Sequence, residues 1–300
     1  MCWWYYSFVQ KISKAIIPVA GLGTRFLPVT RVISKEMIPL IDKPVIQYII
    51  DECVEAGAHT IIFVVNKNNS NLLRNYLNPA HARHMHRVTI PSIRHEVERL
   101  DHLLRSVTFR YVEQKKPLGD GDALLAAQRF IKPDEPFFVS VGDILVRSQP
   151  PCFVALARVY QKYRAPVFAV ERISRKAVSH YGVIRTSKHV TRSLWRVGGI
   201  VEKPHPQDAP SLYAMVGKYV LTPQVFDYLR RIKIGSGAEI KLAYALDTYA
   251  AHAPLYAYET HGTHFDCGDK LGFLRAILYY GIRHQHLKVG FKHLLRLTRS

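Results

Sequence analysis

The chain has 300 residues, 48% of them hydrophobic, with 42 lysines and arginines against 23 acids and a formal charge of +19. This length allows one large domain or two small ones with a sizeable core, and no apolar run approaches a membrane span. Cys2, Cys53, Cys152 and Cys267 form no Cys-x-x-Cys pair, which argues against a zinc site or a disulfide framework and fits a reducing cytoplasm. Excess positive charge attracts polyanions. No nucleic-acid-binding module appears, so a solvated basic surface is favoured over nucleic-acid or anionic-membrane contact.

Residues 1–13 read as an aromatic N-terminal arm without the basic and apolar regions of a signal peptide. Ala15–Ala20 predicts a buried strand that breaks into the turn Gly21-Leu22-Gly23-Thr24-Arg25. Pro44–Ala56 predicts a helix, Thr60–Val65 a strand and Ser70–Leu77 a helix. A charged, histidine-rich insertion follows from Ala80 to Ser106, helical in part from Ser92 onward. His81, His84 and His86 lack a carboxylate or cysteine partner there and read as a solvated loop. Strands at Val107–Val112, Phe137–Val141 and Val167–Val170 alternate with helices at Asp122–Arg129 and Phe153–Tyr163. That alternation predicts an α/β fold with a parallel sheet under covering helices. The second half changes character. Tyr181–Thr186, Leu194–Glu202 and Met215–Leu221 predict a mixed antiparallel group. Pro223 opens a helix. Glu239–Ala250 predicts a helix, Leu255–Glu259 a strand, and Lys270–Arg283 and Lys292–Leu297 terminal helices, the last amphipathic with a basic face.

The Gly21–Arg25 turn is the most informative segment. Ligands of open α/β sheets bind at carboxyl ends of strands. Backbone N–H groups, an arginine and the nearby Lys35 make an anion site there. Gly-x-Gly alone serves a tight turn equally well. No Lys-Ser/Thr follows at Walker spacing, and Phe26 stands where a dinucleotide fingerprint needs its third glycine.

Ala20-Gly21-Leu22-Gly23-Thr24-Arg25-Phe26-Leu27-Pro28 and Lys35-Glu36-Met37-Ile38-Pro39 are followed in order by further motifs. These are Tyr181-Gly182-Val183, Val201-Glu202-Lys203-Pro204, Val216-Gly217-Lys218-Tyr219 and Asp266-Cys267-Gly268-Asp269-Lys270. Together they resemble the bacterial UTP–glucose-1-phosphate uridylyltransferases, a branch of the sugar-nucleotidyltransferases, over about Lys14 to His284. The resemblance implies a Rossmann-like, mixed but mainly parallel sheet flanked by helices, with a smaller β-rich sugar-binding part. It divides the chain into a nucleotide-binding part at about 14–150, a sugar-binding part at about 165–270 and a basic C-terminal helix at 285–300. It implies a cytoplasmic homo-oligomer that joins UTP and glucose 1-phosphate with Mg²⁺.

Activating a sugar 1-phosphate at an α-phosphorus is mostly positioning and charge neutralisation. By resemblance, Ala20, Gly21, Leu22, Gly23, Thr24 and Glu36 bind the nucleotide. Arg25 neutralises the departing phosphates, and Lys35 sits near the reacting centre. Gln114 reads the base and Gly119 lies beneath it. Asp143 and Asp266 hold Mg²⁺. Gly182 and Glu202 face the sugar, and Lys203 binds its phosphate. The segment Pro117-Leu118-Gly119-Asp120-Gly121-Asp122 departs from the family's Gly-Leu-Gly-His. Its two aspartates add negative charge near an anionic ligand and bear on nucleotide preference, not on reaction class; dTTP or another sugar phosphate is the alternative within the class. Because fold does not fix function, a non-catalytic sugar-nucleotide-binding protein is the alternative outside it.

Overall fold

Ala15, Ile16 and Ile17 of β1 (Lys14–Pro18) are fully buried because both faces of this strand are covered. The computed structural model describes residues 12–67, 70–78, 89–232 and 239–297. Most of the N-terminal arm, Cys2, His81, His84 and His86 lie outside the described residues. A small hairpin of β2 (Pro39–Leu40) and β3 (Lys43–Pro44) leads into α1 (Val45–Glu55). Val45, Ile46, Ile49, Ile50 and Cys53 form the apolar stripe that docks α1 on the sheet. β4 (Thr60–Val65), α2 (Ser70–Tyr76), α3 (Pro91–Ser106) and β5 (Thr108–Glu113) follow. Next come α4 (Asp120–Ala127), β6 (Phe137–Ser140), β7 (Ile144–Ser148), α5 (Cys152–Tyr163) and β8 (Val167–Arg172).

The second half supplies β9 (Gly182–Thr191), β10 (Leu194–Glu202), β11 (Tyr213–Leu221), α6 (Val225–Arg231) and α7 (Leu242–His252). The chain closes with β12 (Tyr256–Glu259), β13 (Gly262–Asp266), α8 (Lys270–Gly281) and α9 (Lys288–Leu297). Nine strands form one sheet in the order β5-β4-β1-β6-β11-β8-β12-β10-β9. Only β10 and β11 run against the other strands of that sheet. α1 and α5 cover one face, and α4, α6 and α7 the other. Among the described residues no helix is long and apolar enough to cross a membrane.

Three features differ from the sequence reading. β11 is not confined to a group with β9 and β10; it is inserted between β6 and β8, antiparallel to both. The predicted helix at Glu239 starts three residues later, at Leu242. Ile240 is clamped in extended backbone by two bonds, its N–H donating to Leu118 O (2.7 Å) and its carbonyl accepting from Gly121 N (2.8 Å). Finally, β7 and β13 form a separate antiparallel ladder that no local pattern announced. Each is five residues long and partly exposed, so neither carries a clear apolar period.

A buried cation ties the layers together. Lys218 on β11 is wholly buried opposite Ser140 on β6. Its Nζ donates to Glu52 Oε2 of α1 at 2.8 Å and Ser140 Oγ at 2.9 Å, and lies 5.1 Å from the Phe153 ring centre. Removing one partner of such a pair strands the other charge in low dielectric. Lys218→Met is therefore expected to cost about 3 kcal/mol of stability, and adding Glu52→Gln is expected to recover part of it. Urea denaturation of the two variants checks this; equal losses in both would contradict it.

Candidate active site

Strand order reverses about β1, with β4 on one side and β6 on the other. The crevice outside the carboxyl ends of such strands is where open α/β sheets bind ligands. β1 leaves the sheet through Ala20, whose carbonyl accepts from Asn66 Nδ2 at 2.9 Å. Gly21 and Leu22 follow, and Gly23 adopts a left-handed φ of 63° at the head of a short 3₁₀ turn, Thr24–Phe26. Thr30 Oγ1 donates to Gly23 O at 2.8 Å and pins the loop. Arg25 projects from that turn, and a second 3₁₀ turn, Lys35–Met37, presents Lys35.

The carboxyl end of β6 carries Asp143, 4% exposed at its side chain. The β7–β13 ladder pairs Ile144 with Asp266, so the second aspartate arrives beside the first. Cys267 N donates to Asp143 O at 2.8 Å, and Gly268 N donates to Asp266 Oδ1 at 2.8 Å. Lys35 Nζ donates to Asp143 Oδ2, and Arg25 Nη1 lies 3.4 Å from Asp266 Oδ2. Burial by itself lowers the Lys35 pKa, but the Asp143 and Glu36 carboxylates more than reverse this and hold it above its ordinary value. Lys35 therefore stays cationic.

Gly268 marks a cradle for a cation. A Cβ built there would meet Asp143 Oδ2 at 2.1 Å and Asp266 Oδ1 at 3.0 Å, so both carboxylates face one small space. Among the described residues no group of three or more histidines, cysteines or acids is placed to hold a metal. Two carboxylate oxygens fit a hard cation that takes its remaining ligands from water and phosphate, as Mg²⁺ does.

Further along the same cleft, Gly182 and Glu202 are paired across β9 and β10. The cleft encloses about 330 Å³ and is lined by Arg25, Lys35, Asp143, Gly182, Glu202 and Asp266. Lys203 does not line it; it is exposed on a turn whose left-handed φ of 51° is unusual for a side-chain-bearing residue. Gln114 Nε2 donates to Gly119 O (2.9 Å) and Asp122 Oδ2 (2.8 Å). Both partners are acceptors, so the amide orientation is forced.

Lys241, Asp120 and His264 also line the cleft. Lys241 Nζ donates to Glu202 Oε1 at 3.1 Å. His264 Nδ1 lies 2.8 Å from Glu171 Oε1. The period-two spacing of His264 and Asp266 on one strand is the signal that places both on one face.

Glu36 is 2% exposed, and its Oε2 has no hydrogen-bond partner. Burial pushes its carboxyl up to about 8, against the attraction of Lys35. Between the ordinary value of 4.5 and about 8 the folded chain thus holds a proton that the unfolded chain has lost. Stability is fully present below the lower value and falls as pH rises through the window, by up to about 1.4 kcal/mol per pH unit. Glu36→Gln is expected to flatten that slope in metal-free, nucleotide-free protein. Denaturation at several pH values checks this; parallel profiles for the two proteins would refute it.

A family model described as nucleotidyl transferase matches residues 14–280. The chain is 36% identical over 291 residues to a UTP–glucose-1-phosphate uridylyltransferase of Streptococcus pyogenes, covering 96% of this chain and 94% of the relative. A solved UDP-glucose pyrophosphorylase complexed with UDP-glucose superposes with a TM-score of 0.82 at 35% identity, over 90% of this chain and 98% of its own. A UTP-bound UGPase from Acinetobacter baumannii gives 0.83 at 32% identity, over 95% and 98%. With the Rossmann-like α/β sheet and a cleft of this make-up already in place, these similarities show that the chain belongs to the nucleotidyl transferase family.

Proposed function

We propose that this protein transfers a uridylyl group from UTP to glucose 1-phosphate, releasing pyrophosphate. The observation that carries the proposal is the convergence of Arg25, Lys35, Asp143 and Asp266 at one end of a cleft whose other end holds Gly182 and Glu202. The names of the relatives point to the same substrates.

A phosphate oxygen of the sugar attacks the α-phosphorus of UTP, and the bond from that phosphorus to the bridging oxygen of pyrophosphate breaks. The attacking oxygen is already anionic, so the chain supplies positioning and countercharge in place of a base. The Ala20–Thr24 backbone cradles the nucleotide. Gln114 Oε1 accepts from the base N3–H, which uracil and thymine carry and cytosine lacks, and Gly119 lies under the ring. Glu36, next to Lys35, supports the same nucleotide site. Asp143 and Asp266 would hold Mg²⁺, which when bound supplies positive charge at the reacting phosphate. Lys35 neutralises charge at the reacting centre and Arg25 at the departing pyrophosphate. Glu202 and Gly182 receive sugar hydroxyls, while Lys203 approaches the sugar phosphate from the rim.

A homo-oligomer is part of this reading, supported by Leu271, Leu274 and Leu278, exposed at α8 spacing. A cytoplasmic setting fits the buried free thiols of Cys53, Cys152 and Cys267.

Pyrophosphate release across four nucleoside triphosphates and several sugar 1-phosphates, with and without Mg²⁺, tests the proposal. UTP with glucose 1-phosphate is expected to be best and to require the metal. A preference for dTTP would overturn the uridylyl assignment, and silence with every pair would overturn the activity. Asp143→Asn, Asp266→Asn and Lys35→Ala are each expected to lower kcat about 100-fold or more with unchanged folding by circular dichroism.

A further inference from the structure

The clamp on Ile240 does more than delay α7. It leaves Lys241 in extended backbone, with φ −97° and ψ 137°, and turns its side chain into the cleft rather than along a helix. Lys241 Nζ donates to Glu202 Oε1 at 3.1 Å and lies 3.9 Å from Glu239 Oε2. Glu202 and Glu239 hold its charge on, against the opposing effect of burial. Asp120 is anchored to the same turn: its Oδ1 accepts from Gly121 N at 2.9 Å and from Leu242 N, the first residue of α7, at 3.0 Å. Asp120 lines the same cleft as Glu202 and Lys241. Asp122, by contrast, is engaged with Gln114.

We infer that Lys241 and Asp120, together with Glu202, select the sugar: they accept a hexose 1-phosphate whose ring carries only hydroxyls and reject one whose ring bears a carboxylate. The inference rests on the nucleotidyl-transfer reading above and adds residues and a substrate class to it. A sugar hydroxyl donates and accepts at once. Two carboxylates offer acceptors and one ammonium offers donors, a set that matches neighbouring hydroxyls. A substrate carboxylate offers acceptors only, and two of these three groups repel it. Glu202 and Asp120 outweigh Lys241, so this group of residues carries net negative charge. That charge repels the anionic phosphate of a sugar 1-phosphate and leaves this part of the cleft to the ring. Lys241 and Asp120 thus act as specificity-determining groups, in contact with the sugar ring and away from the phosphorus that reacts.

Calorimetric binding of UDP, UDP-glucose and UDP-glucuronate to wild type, Lys241→Met and Asp120→Asn separates this inference from the reaction, because no turnover is needed. Wild type is expected to bind UDP-glucose at least about 10-fold more tightly than UDP-glucuronate, the scale of one charge-assisted hydrogen bond. Asp120→Asn is expected to narrow that ratio and Lys241→Met, which leaves two carboxylates without their ammonium, to widen it, while both variants bind UDP itself within about twofold of wild type. Saturation kinetics should agree, with KM for glucose 1-phosphate raised about 10-fold or more in Lys241→Met and KM for UTP unmoved. Equal binding of the two sugar nucleotides by wild type would overturn the inference, as would a ratio untouched by either substitution or a matching loss of UDP binding in the variants. Intact discrimination without pyrophosphate release would instead indict the proposed reaction. Absence of UDP binding by wild type would overturn both.

Discussion

The short ladder between β7 and β13 is the constraint on which the site depends. It pairs Ile144 with Asp266 across more than a hundred residues of chain and sets Asp266 beside Asp143. Gly268 then packs against both carboxylates, where any side chain would collide with Asp143. Without that ladder Asp143 would remain at the end of β6 and Asp266 on a distant loop, and no shared space for a cation would exist. The ladder is held from below as well. Val141 N donates to Gly217 O, and the adjoining Ser140 accepts from the buried Lys218. Packing of α1, β6 and β11 around one ammonium is thereby passed to the carboxylate that follows two residues later.

The cations of the cleft are paired within the chain. Lys35 bonds Asp143, Arg25 approaches Asp266, and Lys241 bonds Glu202. Burying an unpaired charge is expensive, so the two mostly buried cations, Lys35 and Lys241, keep their partners until a ligand offers a replacement. Glu36 follows the same rule by another route: lacking a full set of partners, its carboxyl keeps its proton instead. The result is a cleft that carries many ionisable groups without the penalty of isolated buried ions.

Much of this arrangement is legible in the chain itself where local patterns suffice. Thr60–Val65 and Leu194–Glu202 are strands with the predicted bounds, because a continuous or alternating apolar run reports burial directly. The Gly21–Arg25 turn announces itself by its place after a buried run. Other features resist such reading. The place of β11 between β6 and β8 is a choice among sheet edges that its own residues do not encode. The start of α7 is decided by bonds from Leu118 and Gly121, over a hundred residues away. Gln114 reads as a free amide in sequence, yet its nitrogen is spent on Gly119 and Asp122. Asp120 and Asp122 look alike on paper, and the fold bonds one to the first residue of α7 and the other to Gln114.

By itself, then, the sequence determined the α/β class, the positions of most strands and helices, and the residue types from which a phosphate-transfer site is built. These follow from apolar periodicity, turn chemistry and motif order, all of which act over short stretches of chain. Only the tertiary structure decided that Asp143 and Asp266 share one space, and that Lys241 and Asp120 line the cleft while Lys203 does not. The reason is physical: these outcomes are set by ladder register and by hydrogen bonds between segments far apart in the chain. Such pairings exist only once the sheet has assembled.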